Sequence, residues 1–290
     1  MDHNETKGKG NQALFSIGKT ADMCDVSTRT LRFYEKNGLI SPDHVDEKNH
    51  YRYYSHDTMR RIQAIRYLLD QGFSLSQIKE TFHRSDLTSL RELFQAQISE
   101  TESQIEYYQQ RLASLRSWYD LILEGEPVLK HHYTNISVRT IPVKHFYMTE
   151  YPQDYNGGSD EAHLETLFYT SYKLDGHSLV DMGGAFTFKY DSYEDRMSGK
   201  ACGFSLLQEA YTFRPNFEGA VTLGGFKAVC CYHIGDPANI SNTYEKLVKW
   251  AEDHEYHLEG TSLERHVIDF YSVESIDQYV TEILLPVKRS

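Results

Sequence analysis

Over the first 84 residues, apolar positions recur at helical spacing in short runs, each opened by a serine. Ile17, Ala21 and Cys24 follow Ser16 at i, i+4 and i+7 register, which predicts a short helix with Ser16 as its N-cap. Asp25-Val26 makes a tight turn, and Ser27 caps a second helix that Gly38 stops. On that helix Leu31 and Tyr34 point one way, while Arg29, Arg32, Phe33 and Lys36 occupy the opposite face. "DHVDEKNHYRYY" then places the turn formers Asp46, Lys48 and Asn49 between short arms rich in β-formers, which predicts a hairpin with Tyr51, Arg52 and Tyr53 on its second arm. Ser55 opens a helix with Met59, Ile62, Ile65 and Leu69 on one face, and Gly72 ends it. Ser74 and Gln77 stand in capping-box spacing ahead of Leu75, Ile78 and Phe82.

From here the period changes to that of a coiled coil. Phe94, Ile98, Thr101, Ile105, Tyr108, Leu112, Leu115, Tyr119 and Ile122 step alternately by four and three. A helix from about Ser89 to Glu124, ended by Gly125 and Pro127, would be roughly 54 Å long at 1.5 Å per residue, too long to bury its seam against its own small domain. No second long helix of matching pattern exists in the chain, so the seam of Ile98, Ile105, Tyr108, Leu112, Leu115 and Tyr119 calls for a second copy and a homodimer. After Lys130 the chain becomes β-rich. "RTIPVKHFYMTEY" resembles "VTLGGFKAVCCYHIG" at an offset that matches Thr140 to Thr222, and each is followed by a helical pattern and two strand-like runs. Two β-α-β-β halves would pack as one α+β domain with a crevice between them. The expected boundaries are a disordered tail 1–14, a first domain 15–84, the long helix 85–125, a linker 126–132 and the α+β domain 133–290.

Charge divides along the same lines. The chain carries −12 overall, yet residues 15–83 hold ten Lys/Arg against nine Asp/Glu, while residues 84–290 hold eighteen against thirty-one. A near-neutral segment with a local basic face can touch phosphates, since binding depends on charge at the contact more than on the total. Two short helices joined by a tight turn, the second presenting Arg and Lys outward, form a helix-turn-helix, whose second helix enters the major groove of DNA. Arg29 and Lys36 can meet phosphates or base edges along that groove, and Tyr51 and Arg52 can meet the neighbouring backbone. With 40% hydrophobic residues the chain is globular, no run of 18 apolar residues crosses a bilayer, and the first segment has no apolar core for a signal peptide, so a cytoplasmic protein is expected. Cys24, Cys202, Cys230 and Cys231 lack paired zinc spacing and read as reduced packing thiols; His131 and His132 point apart on an extended chain; no cofactor or metal is expected.

The line from Ser16 to Ser55, with Leu31-Arg32-aromatic-Tyr34-Glu35, Gly38-Leu39-Ile40 and a wing ending Tyr51-Arg52-Tyr53-Tyr54, closely resembles the mercury-resistance-regulator (MerR) family of bacterial transcription factors. The resemblance implies that Arg32, Tyr34 and Arg52 contact DNA, with Phe33 standing where many members have tyrosine. It also implies that the long helix forms an antiparallel dimer seam, and that the dimer sits on promoter double-stranded DNA beside RNA polymerase holoenzyme, distorting the spacer when ligand binds. The architecture expected is thus multidomain: an all-α winged helix-turn-helix domain, a long antiparallel coiled-coil helix, and an α+β domain of duplicated β-α-β-β units. Family members that sense metals place cysteines at the end of the long helix, and that stretch here, "LILEGEPVLKHHYTN", has none.

The duplicated segment is similar to the gyrase-inhibitor-like effector-binding domain of multidrug-sensing relatives, where a glutamate on the strand after the second helix faces aromatic rings; the matching residue is Glu264 in "SLERHVIDFY". Its strand alternation puts it on one face with His266, Ile268 and Phe270. Fourteen of the 22 tyrosines lie beyond Lys130. Tyr147, Tyr169, Tyr172, Phe186, Tyr232 and Tyr271 are the aromatic candidates, and rings around one desolvated carboxylate attract a lipophilic organic cation. The runner-up is a hydrolase pairing Glu264 with Tyr232 or His266 for general acid/base chemistry, although no nucleophile motif or phosphate loop accompanies them, and a non-enzymatic regulator is the reading adopted.

Overall fold

The computed structural model describes residues 5–7, 13–84, 86–154, 162, 164–166, 182–211 and 215–289. The chain divides into two compact units, Met1–Gln104 and Ile105–Ser290.

In the first unit the elements run β1 (Glu5–Lys7), β2 (Ala13–Ser16), α1 (Ile17–Met23), α2 (Thr28–Lys36), β3 (His44–Val45), β4 (Arg52–Ser55), α3 (His56–Asp70) and α4 (Leu75–Arg84). Serine caps start the helices as the pattern predicts: the hydroxyls of Ser16, Ser27 and Ser55 accept the amides of Lys19, Thr30 and Thr58. Ser74 and Gln77 bond each other reciprocally, the Ser74 amide to Gln77 Oε1 at 2.8 Å and the Gln77 amide to Ser74 Oγ at 3.3 Å. The apolar stripes meet in one core around Leu31, Tyr34, Tyr54, Ile62, Ile65 and Ile78. The helices carry a small antiparallel sheet in the order β1-β2-β4-β3. Its first strand lies in the stretch expected to be a disordered tail: Glu5 pairs with Phe15 and Lys7 with Ala13. "ETK" has no apolar alternation, so the pattern carried no strand signal; the ladder to β2 supplies the order.

α5 spans Leu87–His131, 45 residues, contributing its first part to one unit and the remainder to the other. It continues seven residues beyond the expected end at Glu124, so the expected linker 126–132 is helical through His131. Leu121, Gly125 and Val128 lie at i, i+4, i+7 on a face buried against Val267, Ile268 and Val280. A Cβ at position 125 would stand 2.3 Å from Ile268 Cγ1, so Gly125 serves close approach rather than termination. Pro127 removes one helical bond at a cost of about 3 kcal/mol, which burial of Leu121 and Val128 at about 1.5–3 kcal/mol each offsets. His132, at φ 51°, then turns the chain.

The second unit adds β5 (Ser137–Thr140), β6 (Lys144–Tyr151), β7 (Met182–Tyr190), α6 (Tyr193–Met197), β8 (Phe204–Ala210), β9 (Ala220–Leu223), β10 (Lys227–Ile234), α7 (Ser241–Asp253), β11 (Tyr256–Leu258), β12 (Ser262–Ile268) and β13 (Val280–Arg289). The sheet order is β5-β10-β13-β12-β7-β8-β6-β9, with β11 on β13. The predicted duplication shows in the strands, β6, β7 and β8 being repeated as β10, β12 and β13, and the halves join where β7 pairs β12; the helix expected in the first half, over residues 160–176, lies mostly outside the described residues. Each half's leading strand crosses to the other, β5 onto β10 and β9 onto β6. α7 covers one face through Tyr244, Leu247 and Ala251 packed on Val229, Cys231, Ile283 and Leu285. α5 meets the other face. All four cysteines are free, and three are buried.

Candidate functional site

On the first unit the turn between α1 and α2 sets α2 with Leu31 and Tyr34 inward, which leaves Arg29, Arg32, Phe33 and Lys36 exposed in one row. Tyr34, assigned to DNA by resemblance, is instead a core residue at 4% exposure. Helical spacing is the reason: it is three residues from Leu31, on the buried stripe. Phe33 is the aromatic that faces solvent. The wing turn is built by Asp46, whose carboxylate accepts the amides of Lys48 and Asn49 at 2.8 and 3.2 Å; these bonds hold its pKa below the usual carboxylate range. Tyr51 stands exposed beyond it. Arg52 is half-buried, and its Nε donates to the Glu35 carboxylate at 2.9 Å, which ties the wing to α2. The row of Arg29, Arg32 and Lys36 with Tyr51 is therefore the exposed set, and Arg52 is partly committed.

Along α5, Ile98, Ile105, Tyr108, Leu112, Leu115, Tyr119 and Ile122 are all exposed large apolar residues. Phe94, the first position of the predicted seam, packs against Phe73 at a ring distance of 4.9 Å and belongs to the core of the first unit. Interrupted only by Thr101, this apolar row along one helix is suited to dimerisation.

The second unit presents two charged environments, one on each face of the sheet. Glu264 sits in the middle of β12, opposite Phe188 and Ile283, at 2% exposure. It faces the α7 side. Arg196 of α6 grips it through both carboxylate oxygens, Nε to Oε1 at 2.8 Å and Nη2 to Oε2 at 3.1 Å. The guanidinium carbon lies 4.9 Å from the centre of the Tyr190 ring. Tyr244 Oη is 2.9 Å from Glu264 Oε1 and 2.9 Å from Ser262 Oγ; with one proton to give, it donates to the carboxylate and accepts from the serine. Burial, then Glu264, push the Tyr190 phenol upward, which keeps it neutral. Burial works against the Arg196 charge, but Glu264 outweighs it and holds the guanidinium above its ordinary pKa.

One residue along, Arg265 points to the other face. There a cavity of about 590 Å³ lies between α5 and the sheet, with Leu121, Phe146, Phe226, Leu263 and Leu284 among its walls. Its charged floor is a chain of pairs: Arg139 and Arg265 both bond the buried Glu282, and Arg265 also bonds Glu124 of α5. Tyr232 Oη donates to Glu124 at 2.7 Å. Burial raises Glu124, but Arg265 and Tyr232 outweigh that and leave it below the usual range; burial and the Glu124 bond push Tyr232 up to about 12.

The predicted ligand residues are thus distributed. Glu264, Phe186 and Tyr147 are buried on the α7 side of the sheet, Tyr232 lies on the α5 side, and Tyr271 is half-exposed, with Trp118 and Phe186 as ring neighbours. Tyr169 and Tyr172 lie outside the described residues. Of the two acid/base pairings considered for a hydrolytic site, Glu264 and Tyr232 point to opposite faces, while the His266 ring lies 5.0 Å from Phe188, the residue opposite Glu264. Sequence reading missed Arg196, Tyr190 and Tyr244; Tyr190 alternates with Phe188 on the face that receives Glu264, a signal readable once that pairing is known. Among the described residues no cluster of metal-ligating side chains is found, and no helix is long and apolar enough to cross a membrane.

Comparison with known proteins places both units. A family model described as MerR HTH family regulatory protein matches residues 15–85, and one described as GyrI-like small molecule binding domain matches residues 215–288. A probable heavy metal-dependent transcriptional regulator of Haemophilus influenzae is 34% identical over 110 residues, 36% of this chain and 85% of that protein. The multidrug-efflux transporter 2 regulator of Bacillus subtilis is 21% identical over 283 residues, 94% of this chain and 96% of that protein. The chain spans about half, 48%, of the mercuric resistance operon regulatory protein of Bacillus cereus, at 42% identity over 64 residues. Among solved structures, EcmrR in its DNA complex covers 95% of this chain and is itself covered over 100% of its length, at 19% identity and a TM-score of 0.42. With its winged helix-turn-helix matched over residues 15–85 and the second half of its sheet unit over residues 215–288, the chain belongs to the MerR family of helix-turn-helix regulators and carries a GyrI-like domain.

Proposed function

We propose that this regulator acts as a homodimer on promoter double-stranded DNA, that its C-terminal unit receives a lipophilic organic cation with Glu264 as the counter-charge, and that ligand binding distorts the promoter spacer to activate transcription by RNA polymerase holoenzyme. The basic row of α2 supports the DNA contact, and the exposed apolar row of α5 supports the dimer. The observation that carries the ligand reading is the environment of Glu264: a carboxylate at 2% exposure, bonded by a guanidinium that lies over a tyrosine ring. These are the contacts an organic cation needs, charge from below and a π face from the side. A ligand that binds one conformation of the unit better than another shifts the equilibrium by its differential affinity, and α5, seated on the sheet through Gly125, is the element both units share.

A thermal-shift screen of cationic dyes and drugs finds ligands by their stabilisation of the native state. Glu264→Gln, which keeps size and hydrogen bonding but removes the charge, lowers the affinity of each hit at least about tenfold by calorimetry. Equal affinity for wild type and Glu264→Gln removes Glu264 from the site and turns attention to Glu282 on the opposite face.

A further inference from the structure

The Glu264 environment has a feature that its part in ligand binding does not by itself require: it already holds a cation. The receptor and its occupant are anchored differently. Glu264, Tyr244, Ser262 and Tyr190 are buried, on two central strands and the helix that packs on them. Arg196 comes from α6, five residues long, with no buried residue. That helix is fixed by its Ser192 cap, by one backbone bond from the Tyr193 amide to Gly260 at 2.8 Å, and by partial packing of Tyr193 and Met197 on the α7 layer. Next to it lies a second cavity of about 560 Å³, lined by Tyr151 and Phe204 and by Glu150, Asp191 and Asp195 against the single ammonium of Lys189. Phe204 stands 5.9 Å from Tyr190, so this acidic vestibule adjoins the ring over which the guanidinium lies.

We propose that Arg196 is a tethered occupant of the ligand site, and that the ligand is a planar, delocalised cation bearing N–H donors, an amidinium or guanidinium on an aromatic ring, which enters through the acidic vestibule and displaces Arg196 from Glu264. This rests on the reading of Glu264 as a cation receptor and specifies its chemistry. The ligand class follows from the resident: two parallel N–H bonds to the two carboxylate oxygens define a fork, which an amidinium reproduces and a quaternary ammonium does not. The ring stacked on the guanidinium side, Tyr190, and the Tyr244 hydroxyl on the carboxylate complete the receptor. Displacement changes no protein charge count, since one cation replaces another, and it frees α6, whose only charged anchor into the sheet among the described pairs is this one.

A tethered group competes as a ligand at an effective concentration in the millimolar range or above. If Arg196 is out of the site about 1% of the time, the apparent affinity of an external cation falls about 100-fold below the intrinsic one. Removing the guanidinium therefore has a sign opposite to that of removing an ordinary structural pair. Calorimetry with benzamidine on the full-length protein reads it. Arg196→Ala binds at least about tenfold tighter than wild type, Arg196→Lys, whose point charge cannot form the fork, falls between them, and Arg196→Ala with Glu264→Gln loses the gain. Arg196→Lys keeps a cation on Glu264 and serves if the alanine variant does not fold. Affinity unchanged or weakened in Arg196→Ala or Arg196→Lys, while Glu264→Gln still weakens wild-type binding, overturns the tethered occupant and leaves the cation receptor standing. Absence of benzamidine binding in wild type and in both Arg196 variants overturns both.

Discussion

The most demanding test of the architecture is the apolar row on α5. Ile105 and Leu112 are 52% and 47% exposed on the single chain, so a partner helix has about half of each side chain left to cover. Complete burial of such a side chain is worth about 1.5–3 kcal/mol, which makes the share due to the partner about 1 kcal/mol apiece and about 4 kcal/mol for the two positions on two chains. Replacing both by aspartate removes that and places four carboxylates in the seam, at about 1–3 kcal/mol each where unpaired. The sum is at least about 8 kcal/mol, and at 1.4 kcal/mol per tenfold the dissociation constant rises by roughly five orders of magnitude or more. Ile105→Asp with Leu112→Asp is therefore a monomer at micromolar concentration by sedimentation velocity. Specific DNA binding disappears with the dimer, because one chain reaches one half-site. Circular dichroism checks that helix content survives. An intact dimer in the double variant refutes the seam and with it the coiled-coil role of α5.

Two further outcomes follow from single residues. Arg32→Ala weakens promoter binding by about 1–3 kcal/mol if the guanidinium reads a base edge, or weakens all sequences alike and lowers the salt slope by about 1 if it holds a phosphate; fluorescence anisotropy at fixed salt separates the two, and unchanged affinity removes Arg32 from the interface. Asp269 is buried, its carboxylate accepts the Tyr271 amide and its own, and burial outweighs these bonds and pushes its pKa up to about 6. A raised carboxyl favours the protonated fold, so its contribution is fully present below pH about 4 and is lost as pH rises through about 6, at most about 3 kcal/mol in all. Asp269→Asn should accordingly match wild type in melting temperature at low pH and exceed it at pH 7; a constant difference across that window refutes the assignment.

Much of this was readable in the residues because the deciding forces were local. Ser16, Ser27, Ser55 and Ser74 start helices with their own hydroxyls within three residues, and the four-three stepping from Ile98 to Ile122 appears as an exposed row on one helix. The duplication was visible because each half repeats its own alternation. The reading failed where a distant partner overrode a local signal. Gly125 and Pro127 look like a stop, yet Ile268, far along the chain, needs the missing Cβ and the helix runs on. The resemblance gives Tyr34 a DNA contact, while its spacing from Leu31 puts it in the core, where it lies.

The buried carboxylates show the same division at its sharpest. From sequence, Glu264 on an apolar strand face in a half-chain with an excess of acidic residues looks like a desolvated charge awaiting a ligand. In the fold neither central carboxylate waits: Glu264 is met by Arg196 from 68 residues away, and Glu282 by Arg265 on the adjacent strand and by Arg139. Leaving either unpaired would be strongly destabilising, so the unit supplies its own cations. The acidic excess therefore resides mainly at the surface, where it biases what approaches, while specificity is decided by how readily each internal guanidinium yields its place. The two differ in that respect. Arg265 is on a central strand and bonds two carboxylates at once, which makes it part of the framework; Arg196 is on a short, half-buried helix and bonds one. Among the described residues, the guanidinium that an entering cation can displace from a buried carboxylate is Arg196.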